Sequence, residues 1–329
     1  MFTMMQPFRF EKPRSLKEWR TLTETLGKEK DHTILFCAGG TDIIPLLKTT
    51  PQDTPQTLIS LTAIEELGGV KLAKDKVVEI GPLTTLCEFS RDPIIQKHLP
   101  VLGETASTVA SPQLRNRATV GGNILVNTRC NYFNQSEQNR AAHEVCFKAG
   151  GEMCHIVQNA TRGKTPLCQA RFASDLAPVM LILYAKLNLL GPDGKRSVKL
   201  REFYLPDGIE CNRLKKGELL TSIEIAIPSG TKLAYNKLRI RNAIDFPSLG
   251  VSVSTTGKRL AIALTGVNTR PLFMQFEDKG FSSKQEMIDH ACDEATRAAQ
   301  PFKQDFFPPS YRKQMVAVLI RRNLQKLGC

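Results

Sequence analysis

Four cysteines close together in the middle of the chain are the residues best suited to chemistry. They are spaced C-x15-C-x7-C-x13-C, and they are Cys130, Cys146, Cys154 and Cys168. Four thiolates from one segment suit an iron–sulfur cluster or a zinc ion better than disulfides in a chain of this composition. Zinc knuckles usually contain a C-x2-4-C pair, which this pattern lacks, so the spacing favours a cluster. Unliganded thiols remain a third interpretation.

Two Gly-Gly loops form a second set of candidate residues. The loop "AGGTD" spans Ala38–Asp42 and "TVGGN" spans Thr119–Asn123, each next to an apolar segment. Glycine lets backbone N–H groups approach an anion closely, as in a phosphate nest. One such loop is a weak signal because most are only turns, but two together suit a diphosphate. Neither fits G-x-G-x-x-G or a Walker loop, which disfavours a Rossmann or P-loop fold.

The composition indicates a globular protein with a basic surface. The 329 residues are 41% hydrophobic and 23% charged, and the formal net charge is +13. Charged residues interrupt both the N-terminal segment and the most apolar stretch, so we expect no signal peptide, no membrane span and a cytoplasmic location. No basic run is interleaved with aromatics, which speaks against a nucleic-acid partner. The charge instead suggests an acidic protein partner or an anionic substrate.

The order of predicted elements indicates an α+β fold. Residues 15–27 form a capped amphipathic helix, and short strands and helices alternate after it. From Ser222 the pattern changes to successive strands, and two helices close the chain. We therefore predict three domains, at residues 1–61, 62–221 and 222–329.

Three motifs, in their order and spacing, resemble one family of flavoproteins. They are "FCAGGTDIIPLLK", "SPQLRNRATVGGNI" and "SDLAPVMLIL". The likeness covers nearly the whole chain, from "PFRFEKPRSLKEW" to "YNKLRIRNAIDFPSLGVSVS" and "LTGVNTRPL". The family is that of the FAD-binding subunits of xanthine dehydrogenase and carbon monoxide dehydrogenase. The resemblance implies a two-part FAD-binding domain of the molybdenum hydroxylase type, followed by a C-terminal antiparallel sheet with helices.

The same resemblance assigns positions in the chain to FAD. The loop AGGTD would hold the diphosphate, and the loop TVGGN would lie along the diphosphate and the ribityl chain. Asp175 would meet the adenosine end, with a helix N-cap as its simpler role. Lys237 would sit near the isoalloxazine, with a solvated strand residue as the alternative. The predicted FAD-binding residues are Ala38, Gly39, Gly40, Thr41, Asp42, Thr119, Gly121, Gly122, Asn123, Asp175 and Lys237.

The segment that carries the cysteines departs from most of this family. Most members pass almost directly from "GGN" to "SDLAP", whereas here residues 128–170 form an insertion. The insertion resembles the β subunits of 4-hydroxybenzoyl-CoA reductases, which carry a [4Fe–4S] cluster at this place. The last gap is longer than in those subunits, and His155 is the alternative ligand to the final cysteine. The resemblance implies the cluster ligands Cys130, Cys146, Cys154 and Cys168.

A flavoprotein of this kind transfers electrons while partner subunits carry out the substrate chemistry. The sequence contains no plausible Ser/His/Asp set and no H-E-x-x-H motif. The resemblance implies a molybdenum-cofactor subunit and a [2Fe–2S] subunit as partners, in a dimer of heterotrimers, and a ferredoxin-like electron carrier. Two alternatives remain. One is an FAD subunit of a xanthine dehydrogenase-like hydroxylase with another substrate, and the other is a zinc-stabilised binding module without redox function.

Overall fold

Three β-sheets follow one another along the chain and carry the helices in the computed structural model. The structure describes residues 6–50, 53–157 and 168–329. Within these residues the first sheet is parallel, and the second and third are antiparallel. This combination of antiparallel sheets with helices confirms the predicted α+β class.

The first sheet and its helices occupy the N-terminal part of the chain. The elements here are β1 (Arg9–Glu11), α1 (Leu16–Leu26), β2 (Ile34–Cys37), α2 (Ile43–Thr49) and β3 (Thr57–Ser60). The strands pair in the order β1–β3–β2. Helix α1 forms as predicted, because the Ser15 hydroxyl accepts a hydrogen bond from the Glu18 N–H at 3.1 Å and because Trp19 and Leu26 are buried.

The second sheet carries the largest hydrophobic core. Its region contains β4 (Val70–Ala73), β5 (Val77–Ile80), α3 (Leu86–Arg91), α4 (Pro93–His98), α5 (Pro100–Ser107), α6 (Pro112–Arg115), α7 (Val120–Ile124), α8 (Glu137–Ala141), α9 (Leu176–Ile182), β6 (Lys186–Gly191), β7 (Gly194–Lys199), α10 (Leu200–Phe203) and β8 (Leu219–Ala226). The strand order is β4–β5–β8–β6–β7. All seven residues of α9 are buried, which explains its uninterrupted apolar sequence. Within the described ranges, the chain has no helix with the length and apolar character that crossing a membrane requires.

The third sheet separates α9 from the two C-terminal helices. Its elements are β9 (Thr231–Leu238), β10 (Leu249–Thr256), β11 (Arg259–Thr265), β12 (Leu272–Glu277), α11 (Lys284–Ala298) and α12 (Pro309–Lys326). Successive residues of a strand point to opposite faces of its sheet. On β11, Leu260, Ile262 and Leu264 therefore pack in the core with α11 and α12, while Ala261 and Ala263 join the core around α9. These small residues let α9 lie close to the sheet.

Strand β8 crosses residue 222, where the sequence analysis begins the C-terminal domain. Its residues 219–224 pair with β6, and residues 223–226 pair with β5, so β8 lies inside the second sheet. The local alternation of "SIEIAI" predicts a strand but not its sheet, because sheet membership depends on distant partners. We propose that the C-terminal domain begins after Ala226.

Candidate functional site

A cleft of about 420 Å³ contains both Gly-Gly loops in its wall. Residues 38–42 contribute one side, and Thr119, Gly122 and Asn123 contribute another. Asp175 lies at the same cleft. Such a volume, with an apolar surface that carries several polar side chains, is typical of a cofactor site. The apolar part of the wall includes Leu46, Leu86, Val109, Leu114, Val126, Ile244 and Phe246.

The first Gly-Gly loop presents three free N–H groups next to the cleft. Gly40 has a φ of +76°, which glycine adopts easily. A Cβ atom on Gly39 would lie 1.8 Å from the carbonyl oxygen of Arg117, so only glycine permits this contact between the two loops. Within the described residues, nothing accepts a hydrogen bond from the N–H groups of Gly39, Gly40 and Thr41. Adjacent free N–H groups in a turn form a binding site for phosphate oxygens.

The second Gly-Gly loop is held by its own hydrogen bonds. The Thr119 hydroxyl accepts a hydrogen bond from the Gly122 N–H at 3.0 Å and so caps α7. Gly122 is exposed at the cleft, which leaves room for a ligand. Gly121 lies behind the wall, because its N–H binds the Pro82 carbonyl at 2.8 Å and a Cβ atom would lie 2.6 Å from the Pro82 ring. Gly121 therefore contributes close packing, not cleft surface.

The start of α9 connects the cleft to a buried ion pair. The Asn123 side chain accepts a hydrogen bond from the Ser174 hydroxyl at 2.7 Å, and Ser174 caps the helix. Asp175 makes no capping bond but accepts one from the Tyr235 hydroxyl at 2.7 Å and pairs with Lys237 at 3.1 Å. Burial raises the pKa of Asp175 and lowers the pKa of Lys237, and their mutual attraction opposes both shifts. Lys237 thus lies behind Asp175 and outside the cleft wall.

Arg129 is a cleft residue that the sequence analysis missed. Its guanidinium lies 2.6 Å from the Asp42 carboxylate and 4.0 Å from the centroid of the Phe246 ring. It therefore links the first Gly-Gly loop to the β9–β10 connection across the cleft. The single sequence signal for Arg129 was its position directly before Cys130, because its partners are distant in the chain.

A pair of backbone hydrogen bonds closes the base of the cysteine segment. Arg129 and Arg171 donate to each other's carbonyl groups at 2.8 Å. Within the segment, a tight turn pairs Cys146 with Met153 and brings Cys154 back toward Cys146. The long last gap of the cysteine pattern falls mainly on residues 158–167, which lie outside the described residues.

All four predicted ligand cysteines line one small cavity of about 20 Å³. Each of them is a free thiol. Burial raises the pKa of the Cys130 thiol, and the nearby backbone N–H groups of Tyr132 and Phe133 oppose that shift. The Ala170 N–H donates to the Cys168 sulfur at 3.4 Å. Such N–H···S bonds stabilise thiolates and surround the ligands of iron–sulfur clusters. The donor set and its hydrogen bonds therefore fit a bound cluster.

The arrangement of the thiols differs from that of a single-ion site. Within the described residues, no three His, Cys, Asp or Glu side chains converge on a position for one metal ion. Zinc, with Zn–S distances of about 2.3 Å, requires its four thiolates to lie about 4 Å apart. In a [4Fe–4S] cluster each thiolate binds a different iron, so the sulfur atoms lie farther apart. Burial raises the pKa of Cys168 to about 11 and also raises that of Cys130, so a metal group bound there would displace protons from these thiols.

His155, the alternative fourth ligand, also lines the cysteine cavity. Its Nε2 lies 2.7 Å from the Glu144 carbonyl oxygen, and its ring stacks on Tyr132 with 5.0 Å between centroids. Cys168 is fixed independently, because its N–H donates to the Asp207 carboxylate at 3.0 Å. Both residues are therefore positioned at the cavity, and Cys168 has the more suitable donor atom for iron.

The cleft and the cysteine cavity share a wall. Asn134 lines the cleft, and its side-chain oxygen accepts a hydrogen bond from the Cys130 N–H at 2.8 Å. Leu46 also lines the cleft and packs against the buried side chains of Cys130, Phe133 and Cys168. A ligand in the cleft and a metal group at the cysteines would therefore be separated by few side chains.

Comparisons with known proteins agree with this geometry. Residues 6–228 match the family model of the FAD binding domain in molybdopterin dehydrogenase. The chain is 30% identical over 295 residues to the aldehyde oxidoreductase FAD-binding subunit PaoB of Escherichia coli, covering 87% of this chain and 90% of that one. It is 28% identical over 328 residues to the carbon monoxide dehydrogenase medium chain of Afipia carboxidovorans, covering 97% and 96%. A structure of reconstituted CO dehydrogenase from Oligotropha carboxidovorans matches with a TM-score of 0.74 at 25% identity, covering 98% of each chain.

The fold and the cleft together define a flavoprotein subunit of an oxidoreductase. The chain belongs to the family of FAD-binding medium subunits of xanthine and carbon monoxide dehydrogenases. The predicted family, fold type and FAD cofactor are thereby confirmed. Membership of this family speaks against the alternative of a binding module without redox function.

Proposed function

We propose that this chain is the FAD- and [4Fe–4S]-containing electron-transfer subunit of a molybdenum enzyme that resembles 4-hydroxybenzoyl-CoA reductase. One observation supports this most strongly: four cysteines line a single cavity that shares a wall with the FAD cleft. Electrons from a ferredoxin-like carrier enter at the cysteine site and leave through FAD. The partners are a [2Fe–2S] subunit and a molybdenum-cofactor subunit, in keeping with relatives that are named as single subunits of larger enzymes.

The first Gly-Gly loop holds the diphosphate of FAD in this proposal. FAD, when bound, exchanges electrons either in pairs or one at a time. The free N–H groups of Gly39, Gly40 and Thr41 bind the phosphate oxygens. Asp42 alone would repel the diphosphate, and Arg129 offsets its charge through the 2.6 Å ion pair. Asp175 orients the opposite end of the cofactor, with Lys237 holding the carboxylate in place from behind.

The cysteine cavity holds the cluster in this proposal. A [4Fe–4S] cluster, when bound, exchanges single electrons. The ligands are Cys130, Cys146, Cys154 and Cys168, of which Cys130 and Cys168 are buried among apolar side chains and Cys146 and Cys154 are half-buried. On the outer side, Cys146 also lines a second cavity, of about 340 Å³, together with Tyr132 and His143. In this proposal an external carrier approaches Cys146 through this outer cavity.

The net charge of +13 supports an acidic ferredoxin as the carrier. The outer cavity itself has mixed charge, because Glu137 and Glu144 stand beside Arg140. Basic residues elsewhere on the surface must therefore supply the attraction. Ferredoxin-linked turnover should slow as salt is raised, because salt screens this attraction. Equal turnover at low and high salt would contradict an acidic carrier.

The purified complex tests the proposed reaction directly. We expect reduced ferredoxin to drive loss of the phenolic hydroxyl from 4-hydroxybenzoyl-CoA. The second candidate is a hydroxylase that passes electrons outward, which the names of the aldehyde and carbon monoxide relatives favour. This second candidate would be selected if the complex oxidises an aldehyde or a purine with an artificial electron acceptor and does not remove the phenolic hydroxyl from 4-hydroxybenzoyl-CoA.

A further inference from the structure

Lys148 is a largely buried cation in the wall of the cysteine cavity. It lies two positions after Cys146 and lines the cavity together with all four cysteines. Its Nζ is 5.3 Å from the centroid of the Phe133 ring. Among the cavity-lining residues in the described part of the chain, it is the one whose side chain ordinarily carries a charge at neutral pH. The proposed function gives it no task.

Four hydrogen-bond acceptors surround Nζ of Lys148 and favour its ammonium form. Its Nζ lies 2.8 Å from the Asn127 side-chain oxygen, 2.7 Å from the Gly208 carbonyl, and 3.1 and 2.5 Å from the Thr128 carbonyl and hydroxyl. The Thr128 hydroxyl donates its own proton to Gly208, so it accepts from Lys148. A neutral amine has two protons for these acceptors, whereas an ammonium group has three. The surroundings are therefore built for the charged form.

We propose that Lys148 is a positioning residue whose charge stabilises the electron-rich state of the group held by the four cysteines, and so raises its reduction potential. The inference rests on the proposed [4Fe–4S] cluster. One-electron reduction by an external donor adds one negative charge to a group that four thiolates already make negative. A fixed cation in a poorly solvated pocket attracts this added charge strongly. Removing the cation therefore makes reduction less favourable.

The anchoring bonds of Lys148 add a second task, which experiments can separate from its charge. Asn127 and Thr128 both line the FAD cleft, so the ammonium fastens the turn after Cys146 to the cleft wall. Lys148→Met removes the charge and the anchor, whereas Lys148→Arg keeps the charge. Asn127→Ala keeps the charge and removes one acceptor. If the charge matters, only Lys148→Met should change the reduction potential of the cluster.

The test is a redox titration of the purified complex, with the reduced cluster followed by electron paramagnetic resonance. We expect Lys148→Met to lower the equilibrium constant for cluster reduction at least tenfold, which is a fall of about 59 mV for a one-electron couple. Lys148→Arg and Asn127→Ala should stay near the wild-type potential. Lys258→Met is the matched control, because this lysine is 83% exposed and pairs with Asp278 in the third sheet. Iron and sulfide are measured in every variant.

Each outcome decides between distinct claims. A loaded Lys148→Met complex with the wild-type potential would overturn the role of Lys148 and leave the proposed cluster intact. If Lys148→Met and Lys148→Gln both lose iron while Lys148→Arg keeps it, Lys148 serves cluster assembly, and the tuning role is overturned. Wild-type complex without iron and sulfide would overturn the proposed function, and this inference with it.

Discussion

The FAD cleft and the cysteine cavity are neighbours, but the chain builds them in different ways. The first Gly-Gly loop of the cleft uses backbone N–H groups, a positive φ at Gly40 and a contact that only Gly39 permits. The cysteine cavity uses side chains, and its thiols are brought together by turns within one excursion of the chain. The cleft is therefore formed by backbone segments that are distant in the chain, whereas the cavity is formed by side chains of one segment and of residues close to it.

This difference predicts that the two sites fail separately. Changes to the backbone of the cleft should disturb folding and FAD together, because the loops hold each other in place. Changes to the cysteines should remove metal and leave FAD in place, because the excursion is closed at its base by Arg129 and Arg171. Three predictions test this separation, and a fourth tests an ion pair of the second sheet.

The largest effect is expected at Gly39. Gly39→Ala places a Cβ atom 1.8 Å from the Arg117 carbonyl, so the two loops must move apart. We expect loss of FAD and a fall of about 3 kcal/mol or more in the free energy of unfolding. Flavin content and urea unfolding measure both. Gly68→Ala is the control, because its nearest atom would be 3.5 Å away. Full FAD content in Gly39→Ala would refute the close loop contact.

The next effect concerns metal content alone. Cys146→Ser and Cys154→Ser should each lose most of the iron, because a serine hydroxyl is a poor replacement for a thiolate ligand. The ratio of FAD to protein should stay unchanged. Cys329→Ser is the control, since this cysteine is exposed and lies outside the cavity. A parallel comparison of Cys168→Ser with His155→Ala identifies the fourth ligand, and iron loss from His155→Ala alone would exclude Cys168.

A smaller effect is expected where the two sites meet. Arg129→Gln removes the ion pair with Asp42 and the contact with Phe246. Arg129 and Asp42 are both partly exposed, so we expect the free energy of FAD binding to weaken by about 1 kcal/mol, which is roughly fivefold in affinity. Iron should be retained. Titration of FAD into the deflavinated complex measures the change. Arg259→Gln, which breaks an exposed pair with Glu277, is the matched control. Iron loss without weaker FAD binding would show that Arg129 serves the cysteine site and not the FAD cleft.

The smallest effect is expected in the second sheet, outside both sites. Hydrogen bonds from the Arg196 guanidinium hold the pKa of Glu218 below its usual value. Stability from this pair is therefore present above about pH 4.3 and is lost as the pH falls through the lowered pKa. Glu218→Gln should lower the free energy of unfolding by about 1 kcal/mol at neutral pH, and the difference between wild type and variant should shrink in acid. Urea unfolding at several pH values tests this, with the exposed Glu202→Gln as control. A constant difference down to pH 3 would contradict it.

Local signals in the sequence predicted much of the fold. The cap at Ser15, the change to successive strands from Ser222 and the two closing helices follow from local patterns, and they form as predicted. Contacts between distant residues could not be predicted in this way. The pair Arg129–Asp42 joins positions 87 residues apart, and Lys148 contacts Gly208 across 60 residues. For the same reason, the sequence did not reveal that Gly121 and Lys237 lie behind the cleft wall.

The most direct test of the central claim is an absorption spectrum of the purified protein combined with analysis of iron and acid-labile sulfide. We expect flavin bands above a broad absorption that dithionite bleaches, with about four iron and four sulfide per chain. Flavin with zinc at the cysteines, or flavin with neither iron nor sulfide, would contradict it.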